Sequence, residues 1–396
     1  MADTVLPKRH LRWHERRLTG LAVALVVMVV LVGASLTSAL SAPGSDSLAA
    51  RLAEWGRGHG LSAVIDALER TAYHPPKAGG RLAAGSPLSQ SHTAGGGSGA
   101  VGAPGALPPS GLPPVSPGAL PPSGLPPVSP VAVPPVPGEG SWRVLAAVRG
   151  RPALQVAYVR PDAVHTSYTA ALAWMDTSLL HFVLHPGTQE PGPGPWPQPP
   201  RLTGQERPNV LGAFNGGFRL DAARGGFYEG GRTVGVLRNG AASLVITTDG
   251  QAQVGQWGRD AHLTRSVVAV RQNLDLLVDG GQVAPGLDSN SRHRWGATIG
   301  NRLYVWRSGV GQTATGALVY AAGDRLSAAT LAELLRRAGS VRAMELDINA
   351  EWTSYVLYPT TAFPTERNLL PDMQRSAKRY DTTGSRDFVA VLRRGR

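Results

Sequence analysis

Residues 342–352 read Arg-Ala-Met-Glu-Leu-Asp-Ile-Asn-Ala-Glu-Trp, and the alternation within that stretch decides how the C-terminal part of the chain folds. Successive side chains of an extended strand point to opposite faces. Met344, Leu346 and Ile348 then form an apolar core face, while Glu345, Asp347 and Asn349 share the other, with Glu351 just beyond. Two carboxylates and an amide in a row are costly to bury unless water, a partner or a ligand meets them. A core strand over Ala343–Ile348 is expected, with chemistry at its end.

The surrounding residues extend this reading. Just upstream, Ser327 is placed to cap a helix over AATLAELLRRA, with Leu331, Leu334 and Leu335 on one face and Gly339 closing it. Most of the remainder reads as short strands between turns: Trp142–Val148, Leu154–Arg160, Leu179–His185, Val210–Phe214, Thr233–Arg238, Ser243–Thr248, Val267–Val270, Leu274–Val278, Thr298–Trp306, Ala317–Tyr320, Ser354–Tyr358 and Phe388–Leu392. Asn239-Gly240 and Asp249-Gly250 are turn dipeptides, the first being the stronger hairpin signal. The 170s are a candidate for a second helix. The expected fold class is α+β, a sheet-rich globular domain over 141–396.

N-terminal to it the composition changes three times. Residues 1–17 form a basic tail with Lys8, Arg9, Arg12, Arg16 and Arg17. An uncharged run from Leu18 to Ser45 follows, and residues 18–42 suffice for a membrane-spanning helix, which needs about 20 residues. The cationic flank predicts a cytoplasmic N-terminus and an exported remainder. Small residues near Ser38–Ala42 also fit a cleaved signal peptide, but the length of the run favours an uncleaved anchor. Residues 46–76 read as a short helical pair, broken by Gly56, Gly58 and Gly60. Residues 81–140 are rich in Pro, Gly and Ser, and GALPPSGLPPVSP occurs twice in succession, at Gly105–Pro117 and Gly118–Pro130. That is the composition of an extended, disordered linker.

Composition excludes several functions. The chain has no cysteine, so disulfides and thiolate metal sites are absent. Its net charge of +12 fits an anionic cell surface, and no arginine-and-aromatic cluster has the form of a nucleic-acid motif. No phosphate-loop or Gly-x-Ser-x-Gly pattern occurs. His181 and His185 have the spacing of helical zinc ligands, but their surroundings read as strand, so no metal or other cofactor is expected. Asp279-Gly280-Gly281 reads as a turn. Gly225-Gly226 and Gly230-Gly231 flank Glu229 in a loop that could cover a ligand.

Four pieces resemble the phosphodiester glycosidase family: Ala213-Phe214-Asn215-Gly216-Gly217-Phe218, Thr233–Gly240, Arg294–Gly300 (RWGATIG), and the helix TLAELLRRAG followed by VRAMELD. Their order and spacing agree with the family over about residues 205–360. The resemblance implies hydrolysis of a sugar 1-phosphodiester, with Asn215 and Asp347 at the site's asparagine and aspartate. Arg294 stands two positions before the motif's arginine. After Asp347 the family's three glycines and serine become Ile348, Asn349, Ala350 and Glu351.

Glycoside hydrolysis generally uses two carboxyl groups, although phosphate is already a good leaving group. Asp347 is expected as acid/base or nucleophile with Glu345 as its partner, and their Cβ atoms would lie about 7 Å apart along a strand. Asn215, with Gly216 and Gly217, would hold the sugar, Arg294 or Arg292 the phosphate, and Asn349 would lie beside it. The bland alternative makes Glu345 and Asp347 salt-bridge partners of nearby arginines. At the level of the whole chain, the expectation is a membrane-anchored exported hydrolase acting on a cell-envelope or extracellular glycan, with the lipid bilayer as its other partner. Its rival is a catalytically idle module that binds anionic glycan or wall polymer.

Overall fold

Among the described residues, short alternating segments of the C-terminal part form three sheets in which the strand pairs are antiparallel. The computed structural model describes residues 9–41, 47–61, 63–65, 67, 74–89, 120–287, 294–296 and 302–395. The largest sheet has the order β1 (Arg143–Val148), β2 (Arg151–Val159), β3 (Ala170–Met175), β14 (Leu318–Leu326), β13 (Val305–Thr313), β15 (Ser340–Glu345), β11 (Leu276–Asp279), β12 (Gln282–Val283). The second runs β7 (Arg232–Val234), β6 (Phe227–Glu229), β10 (Val267–Gln272), β8 (Ala242–Thr247), β9 (Ala252–Gln256). The third runs β17 (Arg367–Asn368), β16 (Tyr355–Leu357), β5 (Val210–Asn215), β18 (Phe388–Arg393), β4 (Leu180–His185).

One apolar cluster joins all three sheets, and at its centre Phe214, Tyr320 and Tyr355 stack with ring centroids 5.1–5.8 Å apart. A second cluster fills the other face of the large sheet. There the expected helix, here Ala328–Arg337, buries Leu331, Leu334 and Leu335. Ser327 Oγ caps it by accepting from the Thr330 amide, and Gly339 follows at φ +92°. The chain is thus sheet-rich after one apolar N-terminal helix, α1 (Arg9–Ser41), and a second helix, α2 (Leu48–Gly58), begins close behind it.

Four local expectations are corrected. The 170s are not helical: Ala170–Met175 is β3, with Ala171 and Ala173 fully buried and the strand paired to β2 and β14. Its alanines suit a helix in isolation, but the backbone pairs with β2 on one side and β14 on the other, so tertiary pairing overrides propensity. The hairpin is at Asp249-Gly250, between paired β8 and β9, rather than at Asn239-Gly240. Gly240 does turn the chain at φ +87°, but β6 and β10 lie between the strands it connects. The strand expected over Ala343–Ile348 stops at Glu345, leaving Asp347 in the following loop. Finally, parts of the 81–140 tract pack on the domain. Leu88, Val128 and Ala132 are buried, and Gly140 donates to Tyr158 O at 2.8 Å.

That packing carries a buried charge pair. Arg160 donates to Glu139 at 2.8–3.2 Å and to the carbonyls of Ala132 and Pro134, with both side chains almost fully enclosed. Removing one partner of such a pair leaves an uncompensated buried charge, at a cost of about 3–5 kcal/mol. Glu139→Ala is therefore expected to destabilise the chain by about that amount in urea denaturation. A fragment starting at Ser141 should show a similar loss, because it also lacks Glu139.

Candidate active site

Asn215 closes β5 and is buried, and its side-chain amide is fully engaged. Its Oδ1 accepts from Tyr320 Oη at 3.0 Å and the Ser354 amide at 3.1 Å, and its Nδ2 donates to Ser308 Oγ at 3.0 Å and Gly216 O at 2.9 Å. The same Ser308 hydroxyl, in β13, accepts from the Asp347 amide at 3.1 Å and lies 3.2 Å from the Asp347 carbonyl. Asn215 and Asp347, 132 positions apart, thus meet on one hydroxyl. With both donors and both acceptors of the amide used, Asn215 fixes the backbone at the site and does not offer its amide to a sugar.

The glycines after Asn215 are required by close approach. A Cβ on Gly216 would lie 2.0 Å from Asp387 Oδ2, and one on Gly217 would lie 3.1 Å from Arg271 Cζ. Arg271 and Asp387 form a fully buried ion pair, Nε to Oδ2 at 2.8 Å, and the guanidinium also donates to Phe218 O. Asn273 Nδ2 donates to the carbonyls of Glu345 and Leu346 at 2.7 and 3.0 Å, tying this shell to the end of β15.

The loop after Asp347 is built without glycine. Asp347 Oδ1 accepts from the Asn349 amide, and Asn349 Oδ1 accepts from the Glu351 amide, both at 2.9 Å. These side-chain turns do locally what glycine conformations would otherwise do. Ile348 leaves the expected core face and packs with Phe218, Ala223 and Leu274, beneath Gly296. Glu345 is fully buried against Arg307, Nη1 to Oε1 at 2.5 Å, and burial raises its carboxyl pKa despite that neighbour. It does not share a polar face with Asp347 because the strand's alternation ends at it. Arg294 Nε instead faces Asp275 at 3.4 Å, with its guanidinium over Trp295. Arg292 lies outside the described residues.

Sequence reasoning missed a group of arginines. Arg375, Arg379 and Arg386 surround the Trp352 indole, their Cζ atoms 5.1, 5.7 and 4.8 Å from a ring centroid. Arg379 also donates to Ser354 Oγ at 2.8 Å, and Ser354 is the residue whose amide holds Asn215. Arg375 pairs with Glu351 at 3.3 Å. Burial first, and then the charge of Arg379, lower its proton affinity. An anion received here would relieve both effects. The three arginines belong to no motif, and only their crowding onto one indole identifies them. The turn at Asp279-Gly280-Gly281 joins β11 to β12, with Gly280 and Gly281 both at positive φ.

Elsewhere, Glu229 lines a cavity of about 270 Å³ with His181, Phe182, Leu184 and Ile246. Gly230-Gly231 makes the tight turn from β6 to β7. Burial pushes the Glu229 carboxyl up to about 8, against a hydrogen bond from the Gln198 backbone. The folded state therefore binds a proton that the unfolded chain, near 4.5, has already released. The stability this gives is complete below about pH 4.5 and is lost as pH rises through about 8. Glu229→Gln should flatten that decline and raise the denaturation midpoint at pH 8 relative to the parent chain, in paired urea titrations.

Comparison with known proteins gives the following. Residues 208–367 match the family described as phosphodiester glycosidase. No curated protein matches the chain. Among solved structures it is similar to the zebrafish N-acetylglucosamine-1-phosphodiester alpha-N-acetylglucosaminidase catalytic domain auto-inhibited by pro-peptide. That match has 18% identity and a TM-score of 0.42, covering 65% of this chain and 88% of that one. A hypothetical protein from Synechocystis matches at 12% identity and a TM-score of 0.36, covering 64% of this chain and 65% of that one.

Proposed function

We propose that this chain, whose residues 208–367 match the phosphodiester glycosidase family, hydrolyses the glycosidic bond of a sugar 1-phosphodiester in a cell-envelope or extracellular glycan. The observation that carries the reading is the meeting of Asn215 and Asp347 on Ser308 Oγ, one residue from the arginines around Trp352. In this assignment Arg375, Arg379 and Arg386 receive the phosphate, since planar guanidiniums suit its oxygens. Arg294, turned to Asp275, no longer fits that role. Asp347 acts at the anomeric carbon as acid/base or nucleophile. The bond from the anomeric carbon to the phosphate oxygen breaks, water supplies hydroxyl to the sugar, and its second proton ends on solvent or on the released phosphate. Asn215, Ser308 and Asn349 hold the loop on which Asp347 sits.

With Glu345 sealed against Arg307, Asp347 works without the second carboxylate expected at that strand end. A phosphate leaving group bound by cations tolerates this, because it needs less protonation than an alcohol. The membrane part of the reading rests on α1, whose Leu21–Ser41 stretch is long and apolar enough to cross a bilayer. With the basic tail on the cytoplasmic side, the glycosidase domain lies outside the cell, on a single-pass anchor.

The sealed Glu345 and the replaced glycines favour a second reading, an idle module that binds anionic glycan. Turnover of a panel of sugar 1-phosphodiesters by the full chain separates the two. Asp347→Asn should lower kcat by about 10²-fold or more with little change in KM, the mark of lost acid–base or nucleophilic assistance. Arg379→Gln should mainly raise KM, by about tenfold or more. Tight binding without any turnover by the parent chain would establish the idle module instead.

A further inference from the structure

The candidate site and the apolar helix are held close together. Only residues 42–46 separate Ser41, the last residue of α1, from Ser47, so the two lie within about 21 Å along an extended chain. Ser47 Oγ donates to Glu351 Oε2 at 3.2 Å, and Glu351 pairs with Arg375 of the arginine group. From there α2 turns back along α1. Arg51 donates to Leu40 O at 2.5 Å, and Trp55 Nε1 donates to Ser35 Oγ at 3.1 Å. Trp55 stacks on His59, which also meets Ser35 Oγ at 3.2 Å. Ser35 lies within the stretch long enough to cross a membrane, so α2 runs level with the outer end of that stretch. Leu48 and Leu52 remain exposed on α2, and with Trp55 they give it the apolar-and-aromatic character of an element at headgroup depth.

The proline-rich tract does not lengthen this connection into a stalk. Its described flanks return to the same domain: Gly79 donates to Val164 O at 2.7 Å, Ser86 Oγ meets Thr169 Oγ1 at 2.7 Å, and Val128 donates to Gly140 O at 2.9 Å. The described segments before residue 90 and after residue 119 are thus both anchored on the domain.

We infer that the site works at the bilayer surface, and that its substrate is a membrane-held sugar 1-phosphodiester whose second ester is to a lipid. In that arrangement the lipid's phosphate lies at headgroup depth, where the half-buried Arg386 meets it first and the buried Arg375 and Arg379 add their charge from behind. The sugar projects outward towards Asp347. Hydrolysis between the anomeric carbon and the phosphate oxygen, with water adding hydroxyl to the sugar, leaves a lipid phosphomonoester in the membrane and releases the free sugar. This inference rests on the hydrolase reading.

The test uses the full chain in phospholipid vesicles, given a lipid-linked sugar 1-phosphodiester and a water-soluble one with the same sugar. Because the chain has no cysteine, Ser376→Cys, at an exposed position beside Arg375, supplies a single labelling point for a fluorophore. The expected results are quenching of that fluorophore by headgroup-labelled lipid and at least tenfold higher kcat/KM for the lipid-linked substrate. A Gly/Ser insert on the order of 20 residues between Pro43 and Gly44 should remove the preference and the quenching while leaving soluble turnover unchanged, since such an insert behaves as a flexible coil. Equal turnover of the two substrates, soluble turnover alone, or an unquenched label would overturn the membrane-held substrate and leave the hydrolase reading standing. Turnover of neither substrate would end both.

Discussion

One serine hydroxyl holds the candidate site together. Ser308 lies in β13, in the middle of the large sheet, and its Oγ receives Asn215 from the end of β5 and the backbone of Asp347 from beyond β15. A hydroxyl both donates and accepts, so it can satisfy groups arriving from two sheets at once. The aromatic cluster of Phe214, Tyr320 and Tyr355 does the same work in apolar terms, and Tyr320 takes part in both through its bond to Asn215 Oδ1. Displacing Ser308 would leave buried donors and acceptors without partners, which costs more than the bonds themselves contribute.

The interior also contains buried ion pairs. Arg271 with Asp387, Arg307 with Glu345 and Arg160 with Glu139 are pairs in which both side chains are nearly or fully enclosed. Each joins residues distant in sequence. Buried pairs contribute little net stability once desolvation is counted, but they penalise misplacement of either partner strongly. Here each pair fixes a junction. Asp387 sets the floor beneath Gly216, Glu345 ends β15 before Asp347, and Glu139 clasps the incoming chain to β2.

The helix and most strands were legible because their signals are local. Ser327, the leucine spacing and Gly339 define the helix without help from the rest of the fold. Errors arose where partners decide. Ala170–Met175 is a strand because of what lies on either side of it, and the Asn239-Gly240 turn is not a hairpin because other strands intervene. At the site, the strand ends at Glu345, two residues before Asp347, so the alternation wrongly carried Ile348 onto the core face and joined Asp347 to Glu345, which is sealed against Arg307. Arg375, Arg379 and Arg386 were not legible at all, since only the folded chain gathers them on Trp352. The 81–140 tract had the composition of a spacer, but composition does not reveal that its ends pack on one domain.

The replaced glycines also take on a different meaning. A glycine loop after the aspartate would bring backbone close to a ligand and would need left-handed conformations. Among the described residues the positive-φ non-glycine positions are Arg149, Arg224, Leu274 and Arg325, and none lies in 348–351. The side chains of Asp347 and Asn349 close successive turns instead, and Ile348 fills an apolar socket beside Phe218. Substituting glycine back at Ile348 would therefore empty that socket and free a backbone that the present sequence holds in ordinary conformations. The turn chemistry positions Asp347 by side-chain hydrogen bonds, and it sets Glu351 at the edge of the arginine group, where the chain arriving from α1 meets it.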